Sequence, residues 1–101
     1  MSRLFTAREL EVLKARNPAS LAVRFAGKEA VLKALGTGLR GLSWHDIEIL
    51  DNELGEPIVY LSAKAKAIAE SRGGKYVRIS LSHSKDNAVA IAILYCGALN
   101  E

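Results

Sequence analysis

The sequence predicts an α+β fold in which an antiparallel β-sheet packs against helices, with the elements in the order ααββαββ. Apolar residues recur at helical spacing in the N-terminal third, whereas apolar and polar residues alternate in short segments from residue 46 onwards. Glycine and proline clusters separate those segments, as expected for turns. The 101 residues, 50% hydrophobic and 25% charged, are typical of a globular domain, so residues 1–101 are expected to form a single domain.

Capping signals predict the first two helices. Thr6-Ala-Arg-Glu9 has the pattern of a capping box, and the helix that it opens should run to about Ala15. Asn17-Pro18 is typical of a helix start, with proline at the first helical position. This second helix should continue to about Leu35, where the following glycines end it.

A β-hairpin and a third helix are predicted next. Asp46–Leu50 alternates like a half-buried strand, residues 51–57 are rich in turn formers, and Ile58–Leu61 forms the second strand. Ser62 should cap an alanine-rich helix that ends at Gly73-Gly74.

The last predicted elements are two strands separated by a polar segment. Tyr76–Leu81 alternates, residues 82–87 are polar, and Ala88–Tyr95 is almost entirely apolar. A strand that is apolar on both faces is expected in the centre of a sheet.

Composition narrows the classes of protein. The net charge of +3 fits an anionic partner, but no basic run or aromatic ladder indicates nucleic acid. No apolar run approaches the roughly 20 residues of a membrane span, and the N-terminus lacks the apolar stretch of a signal peptide. Cys96 is the sole cysteine, so no internal disulfide can form. These features predict a cytoplasmic protein without a membrane partner.

The second helix carries charged residues close to its apolar stripe. At about 100° per residue, Glu29 lies about 40° from Phe25, inside the stripe, and Lys28 lies about 60° from Phe25 on the other side. Charges on a core-facing surface are costly unless they are paired or bind a metal. Lys33 follows Glu29 by one turn, so an intrahelical ion pair is the alternative interpretation.

A second polar cluster, Ser80-Leu-Ser-His-Ser-Lys-Asp86, follows the third strand. Its hydroxyls, the His83 imidazole and the Lys85 ammonium can jointly hold a phosphate. The alternative is a turn whose serines bond to their own backbone. A serine–histidine hydrolase is conceivable, but no G-x-S-x-G pattern is present. The segment Asn52–Pro57 is sufficient for a hairpin loop without further function, and the histidines and cysteine have no zinc spacing.

Taken together, these blocks resemble holo-acyl-carrier-protein synthases of the 4′-phosphopantetheinyl transferase family. The matching segments, in family order, are Arg3–Leu10, Arg24-Phe-Ala-Gly-Lys-Glu-Ala30, Lys33-Ala-Leu-Gly-Thr-Gly38, Trp44–Ile49, Asn52-Glu-Leu-Gly-Glu-Pro57 and Ser80-Leu-Ser-His-Ser-Lys-Asp86. The likeness covers nearly the whole chain. The combination of the Lys-Glu-Ala block with the Ser-His-Ser-Lys block is its most specific part.

The resemblance implies an enzyme that moves phosphopantetheine from coenzyme A to a serine of an acyl or peptidyl carrier protein, with Mg²⁺, releasing 3′,5′-adenosine bisphosphate. It implies a homotrimer with sites shared between neighbouring subunits. It implies that Glu29 binds the metal and, with Lys33, forms the catalytic pair. The coenzyme A contacts implied in the same way are Lys28, Gly55, Pro57, His83 and Ser84.

One departure from the family pattern keeps other functions open. Family chains normally begin with a Gly-x-Gly-x-Asp strand and a basic helix, whereas Met1 here precedes the segment that matches the family's second helix. The strand aspartate is the second metal ligand of the family, and Asp46, Asp51 and Asp86 belong to other blocks. The hypotheses are therefore an active transferase, a non-catalytic module that binds coenzyme A or an adenine nucleotide, and a truncated fragment whose remaining role is assembly.

Overall fold

The computed structural model describes residues 3–14, 16 and 18–96. The regular elements are α1 (Ala7–Leu13), α2 (Pro18–Leu35), a 3₁₀ turn (Trp44–Asp46), β1 (Ile47–Asp51), β2 (Pro57–Leu61), α3 (Ala63–Ser71), β3 (Tyr76–His83) and β4 (Ala88–Tyr95). The predicted α+β class and the order ααββαββ are confirmed. The strands begin or end within two residues of their predicted limits.

The helix starts follow from local capping chemistry. The Thr6 hydroxyl accepts the backbone N–H of Glu9, and the Glu9 carboxylate accepts the backbone N–H of Thr6, so the predicted capping box is present. The Ser62 hydroxyl accepts the N–H of Ala65 at the start of α3. The predicted C-terminal end of α1 at Ala15 and the predicted N-cap of α2 at Asn17 lie outside the described residues.

The strands form two separate antiparallel hairpins. In β1–β2, Ile49 is opposite Val59, and in β3–β4, Ser80 is opposite Ile91. Among the described residues β4 pairs only with β3, so the prediction that β4 lies in the centre of a sheet is wrong. The reason lies in its two faces. One face of β4 packs on α2, while the apolar residues of the other face lie open, because Val89, Ile91 and Ile93 are 54–58% exposed.

The core lies between α2, α3 and the inner faces of both hairpins. Its buried side chains come from α2, the segment that follows α2, β1 and α3: Val31, Leu32, Leu35, Leu42, Ile47, Ala65 and Ala69. The rings of Phe25 and Trp44 pack at a centroid distance of 5.0 Å. Gly27 permits the close approach of α2 to the strands, since a Cβ there would lie 2.9 Å from Leu81 Cδ2. None of the described helices is both long enough and apolar enough to span a membrane.

Candidate active site

Helix α2 turns one face to the core and the opposite face to solvent. Lys28 is completely buried, whereas its neighbour Glu29 and the following Lys33 are exposed. Consecutive helical residues differ by about 100° in direction, which allows adjacent charges to lie on different faces. The expectation that Glu29 faces the core is therefore corrected. The apolar stripe predicted from the sequence is buried at Leu32 and Leu35, and the buried face extends from it away from Glu29.

The Lys28 ammonium forms a buried ion pair with Glu9 of α1. Lys28 Nζ lies 2.5 Å from Glu9 Oε1, and the two side chains are 0% and 2% exposed. Glu9 Oε2 also accepts the backbone N–H of Ile49 at 2.8 Å. One carboxylate thus connects α1, α2 and β1. The Lys28 ammonium does not face solvent in this structure. Its contact with coenzyme A therefore stays a prediction.

Burial also affects the titration of this group. Desolvation lowers the pKa of the Lys28 ammonium from its ordinary value, although the hydrogen bond and negative charge of Glu9 and the charge of Glu48 oppose the shift. Glu48 further ties α1 to β1, since its carboxylate accepts the Thr6 hydroxyl at 2.5 Å and lies 3.4 Å from Arg8.

The outer face of α2 presents a carboxylate and an ammonium one turn apart. Within the described part of the chain neither Glu29 nor Lys33 takes part in an ion pair, so the intrahelical pair that their spacing allows is not formed. Both side chains are accessible to an external ligand.

A groove of about 1060 Å³ lies between the two hairpins and the N-terminal half of α2. Two of the residues assigned to the coenzyme A pocket, Pro57 and His83, line it. Its charged lining is mainly positive: Arg16, Arg24, Lys66, Lys75 and Arg78, with Glu56 and Glu70. A concave surface with excess positive charge favours an anionic ligand.

Two arginines of the groove were not among the site residues proposed from the sequence. Arg16 and Arg24 both pair with Asp51, and Arg24 Nη2 lies 2.6 Å from Asp51 Oδ1. Arg24 is 6% exposed, and its Nη1 is buried without a hydrogen-bond partner. A buried N–H donor without a partner costs free energy until a ligand or water supplies an acceptor. Arg24 is the first residue of the block that contains Lys-Glu-Ala, and this position in the sequence could have identified it as a site residue.

The turn between β3 and β4 forms a second, smaller hollow of about 160 Å³. His83 and Ser84 line it together with Lys85, and all three belong to the polar cluster predicted to hold a phosphate. His83 lines both this hollow and the groove. The two concavities are therefore adjacent at the end of β3.

Gly55 serves the hairpin turn that precedes Pro57. Its φ of 81° lies in the left-handed region, which glycine adopts without strain. The Asn52 side chain accepts the backbone N–H groups of Leu54 and Glu56 and closes the loop. Gly55 lines neither concavity, and its contact with coenzyme A remains a prediction.

The carboxylate of Asp46, in the Trp44–Ile49 block, has structural partners. Asp46 accepts the Ser62 hydroxyl at 2.7 Å and the Ser43 N–H at 2.7 Å. Burial alone would raise the pKa of Asp46, but these hydrogen bonds and the charge of Lys64 outweigh it and hold the pKa below its usual value. No cluster of three or more metal-ligating side chains occurs among the described residues.

The fold and these side chains agree with a known class of transferases. Residues 1–93 match the model of the 4′-phosphopantetheinyl transferase superfamily, and the chain belongs to this family. The prediction of the family and of a transferase is thereby confirmed.

Individual relatives narrow the comparison to one branch. A holo-acyl-carrier-protein synthase of Caldanaerobacter subterraneus subsp. tengcongensis is 50% identical over 99 residues, which cover 96% of this chain and 78% of that protein. The crystal structure of the synthase from Neisseria meningitidis matches with a TM-score of 0.80 at 36% identity, over 92% of this chain and 77% of that chain. The crystal structure of the Helicobacter pylori synthase in complex with coenzyme A matches with a TM-score of 0.79 at 30% identity, over 92% of this chain and 78% of that chain.

Proposed function

We propose that this chain transfers 4′-phosphopantetheine from coenzyme A to a serine of an acyl or peptidyl carrier protein, as in fatty acid biosynthesis. The observation that carries the proposal is a cation-lined groove of about 1060 Å³ on a chain 50% identical to a holo-acyl-carrier-protein synthase. In the reaction the serine oxygen bonds to the phosphorus that bears the pantetheine arm. The bond from that phosphorus to the bridging oxygen breaks, and 3′,5′-adenosine bisphosphate leaves. The serine proton passes to solvent or to a base.

The groove is suited to the nucleotide half of coenzyme A. The guanidinium of Arg24 offers a buried donor, and Arg16 lies beside it on the same aspartate. Arginine binds phosphate through paired N–H donors, and hydrogen bonds to charged groups are among the stronger ones. His83 and Ser84 would add donors at the end of β3, and Pro57 an apolar wall.

Glu29 and Lys33 are suited to the pyrophosphate. Mg²⁺ commonly binds one or two carboxylates, with substrate phosphates and water completing its octahedron. An exposed carboxylate without an ion pair fits that mode, and Lys33 one turn away can contact a phosphate oxygen. When bound, the ion would offset negative charge on the phosphates and on the leaving group. The residues of the chain would hold the phosphates in the orientation that the serine needs.

We further propose that neighbouring copies complete each other's site in a homotrimer. Glu29 and Lys33 line neither the groove nor the hollow, so one copy alone does not surround a single ligand with all the candidate residues. The open face of β4, formed by Val89, Ile91 and Ile93, is a contiguous apolar surface of the kind that mediates association. A cytoplasmic location, next to coenzyme A and carrier proteins, remains a prediction.

Mass spectrometry of an apo carrier protein tests the transferase directly. With coenzyme A and Mg²⁺ the carrier should gain one phosphopantetheine group, and Glu29→Gln should slow the gain while Glu11→Gln, an exposed change on α1, should not. Coenzyme A binding without any gain would instead identify the non-catalytic binding module. Absence of both binding and transfer would contradict the proposal.

A further inference from the structure

The buried Glu9–Lys28 pair lies next to the residue proposed to contact the metal. Lys28 immediately precedes Glu29, and the two side chains leave α2 on different faces. The direction of Glu29 therefore depends on the rotation of α2 about its axis. Whatever fixes Lys28 also fixes Glu29 and, one turn later, Lys33.

The apolar groups beside Lys28 are small, and the larger buried side chains of α2 lie in the turns that follow. The helix carries Gly27 and Ala30 beside Lys28, and β4 presents Ala90 and Ala92 on the face that pairs with the inner residues of β3. Contacts between apolar groups are non-directional, so at this turn they define the direction of a side chain less closely than a hydrogen bond does. A hydrogen-bonded charge pair is directional and permits one arrangement.

The surroundings of Lys28 make that arrangement specific. Its ammonium lies 2.5 Å from Glu9 Oε1 and 5.4 Å from the centroid of the buried Phe5 ring. Glu9 is itself fixed, because its two oxygens accept the backbone N–H groups of Thr6 and Ile49. The anchor is thus held by the backbone at the start of its own helix and by the backbone of β1.

We propose that Lys28 is a positioning residue, whose ion pair with Glu9 fixes the rotation of α2 so that Glu29 and Lys33 face the phosphates of coenzyme A. This inference rests on the proposed function. Arg24 secures the preceding turn through Asp51. Because Arg24 also lines the groove, it cannot serve as the test.

The test compares coenzyme A affinity with saturating Mg²⁺ and with chelator, by calorimetry on the full 101-residue chain. The metal effect is measured by one ratio, the dissociation constant in chelator divided by the dissociation constant in Mg²⁺. Lys28→Met should reduce that ratio by about tenfold, the low end of what is lost when support of a metal ligand is removed. Affinity in chelator should change little, since the groove is untouched.

Two further lysine variants separate positioning from stability. Lys28→Arg keeps a cation for Glu9 but overfills a buried site, so it should lower the melting temperature and still retain the ratio. Lys14→Met removes an exposed ammonium at the end of α1 and should change neither quantity. Loss of affinity to the same extent with and without Mg²⁺ in Lys28→Met would overturn the inference.

If Lys28→Met does not fold, the double variant Glu9→Gln/Lys28→Met removes both buried charges and takes its place. A flexible methionine does not define one helix rotation, so the ratio should again fall. If a folded Lys28→Met or double variant keeps the wild-type ratio, this inference is overturned, whereas the proposed role of Glu29 is not. A wild-type chain whose affinity is identical with Mg²⁺ and with chelator overturns the role of Glu29 and this inference with it.

Discussion

The outer face of α2 and the groove between the hairpins present different kinds of charged group. The groove gathers cations, among them Arg24 with a buried donor that lacks a partner. The outer face offers the exposed carboxylate of Glu29 and the ammonium of Lys33. A pyrophosphate needs both kinds of group, since cations bind its oxygens and a carboxylate can hold the metal. This difference is the basis of the proposal that neighbouring copies complete each other's site.

The largest effect should follow from separating the copies. Ile91→Glu places a charge in the centre of the open β4 face, where Ile91 is 58% exposed, and a buried unpaired charge in an interface is very costly. Light scattering should show a monomer, and transfer should fall further than with any single change in the site. Leu39→Glu puts the same charge on an exposed leucine outside β4 and should leave the mass unchanged. A trimer that persists in Ile91→Glu would rule out this face as the interface.

A smaller effect should follow from weakening the groove. His83→Ala removes a side chain common to the groove and the hollow. A hydrogen bond to a charged group contributes about 1.5–3 kcal/mol, which is about ten- to a hundredfold in coenzyme A affinity. Calorimetry measures the affinity, and the melting temperature serves as the control. If the affinity is unchanged and the melting temperature collapses, His83 is structural.

The elements were predictable because their signals are local. Capping residues, turn glycines and the alternation of β1 and β3 depend on a few neighbours in sequence, and the structure follows them closely. The ion-pair partner of Lys28 was not predictable in this way. Its partner Glu9 is 19 residues away, and the alanines around α2 hide which side meets the core.

The same distinction applies to the site and to β4. Pro57, His83 and Ser84 belong to recognisable blocks, and the structure brings them to the groove or hollow. The pairing of Arg24 with Asp51 joins residues 27 apart and was missed. The apolar sequence of β4 indicated two covered faces, but a sequence does not reveal whether the same chain or another one covers them.

The smallest predicted effect concerns a carboxylate outside both regions. Because the pKa of Asp46 is depressed in the folded state, the unfolded state binds more protons as the pH falls below about 4, and stability is lost there. Above that range the charged carboxylate contributes fully. Asp46→Asn should therefore be slightly less stable at neutral pH and lose less stability on acidification. Urea unfolding of the wild type and of Asp46→Asn, at neutral pH and below about pH 4, measures the free energy of unfolding. An equal loss of stability in both proteins on acidification would contradict the prediction.

Subunit mixing tests the half-site account most directly. Glu29→Gln and His83→Ala are each expected to transfer poorly, and their copies can be mixed, unfolded together and refolded into mixed oligomers. If neighbouring copies supply the two halves, some sites in a mixed oligomer receive an intact Glu29 from one copy and an intact His83 from the next. The account predicts that the mixture regains a substantial part of the wild-type transfer rate. A mixture no faster than the average of the two separate variants would show that each copy contains its whole site.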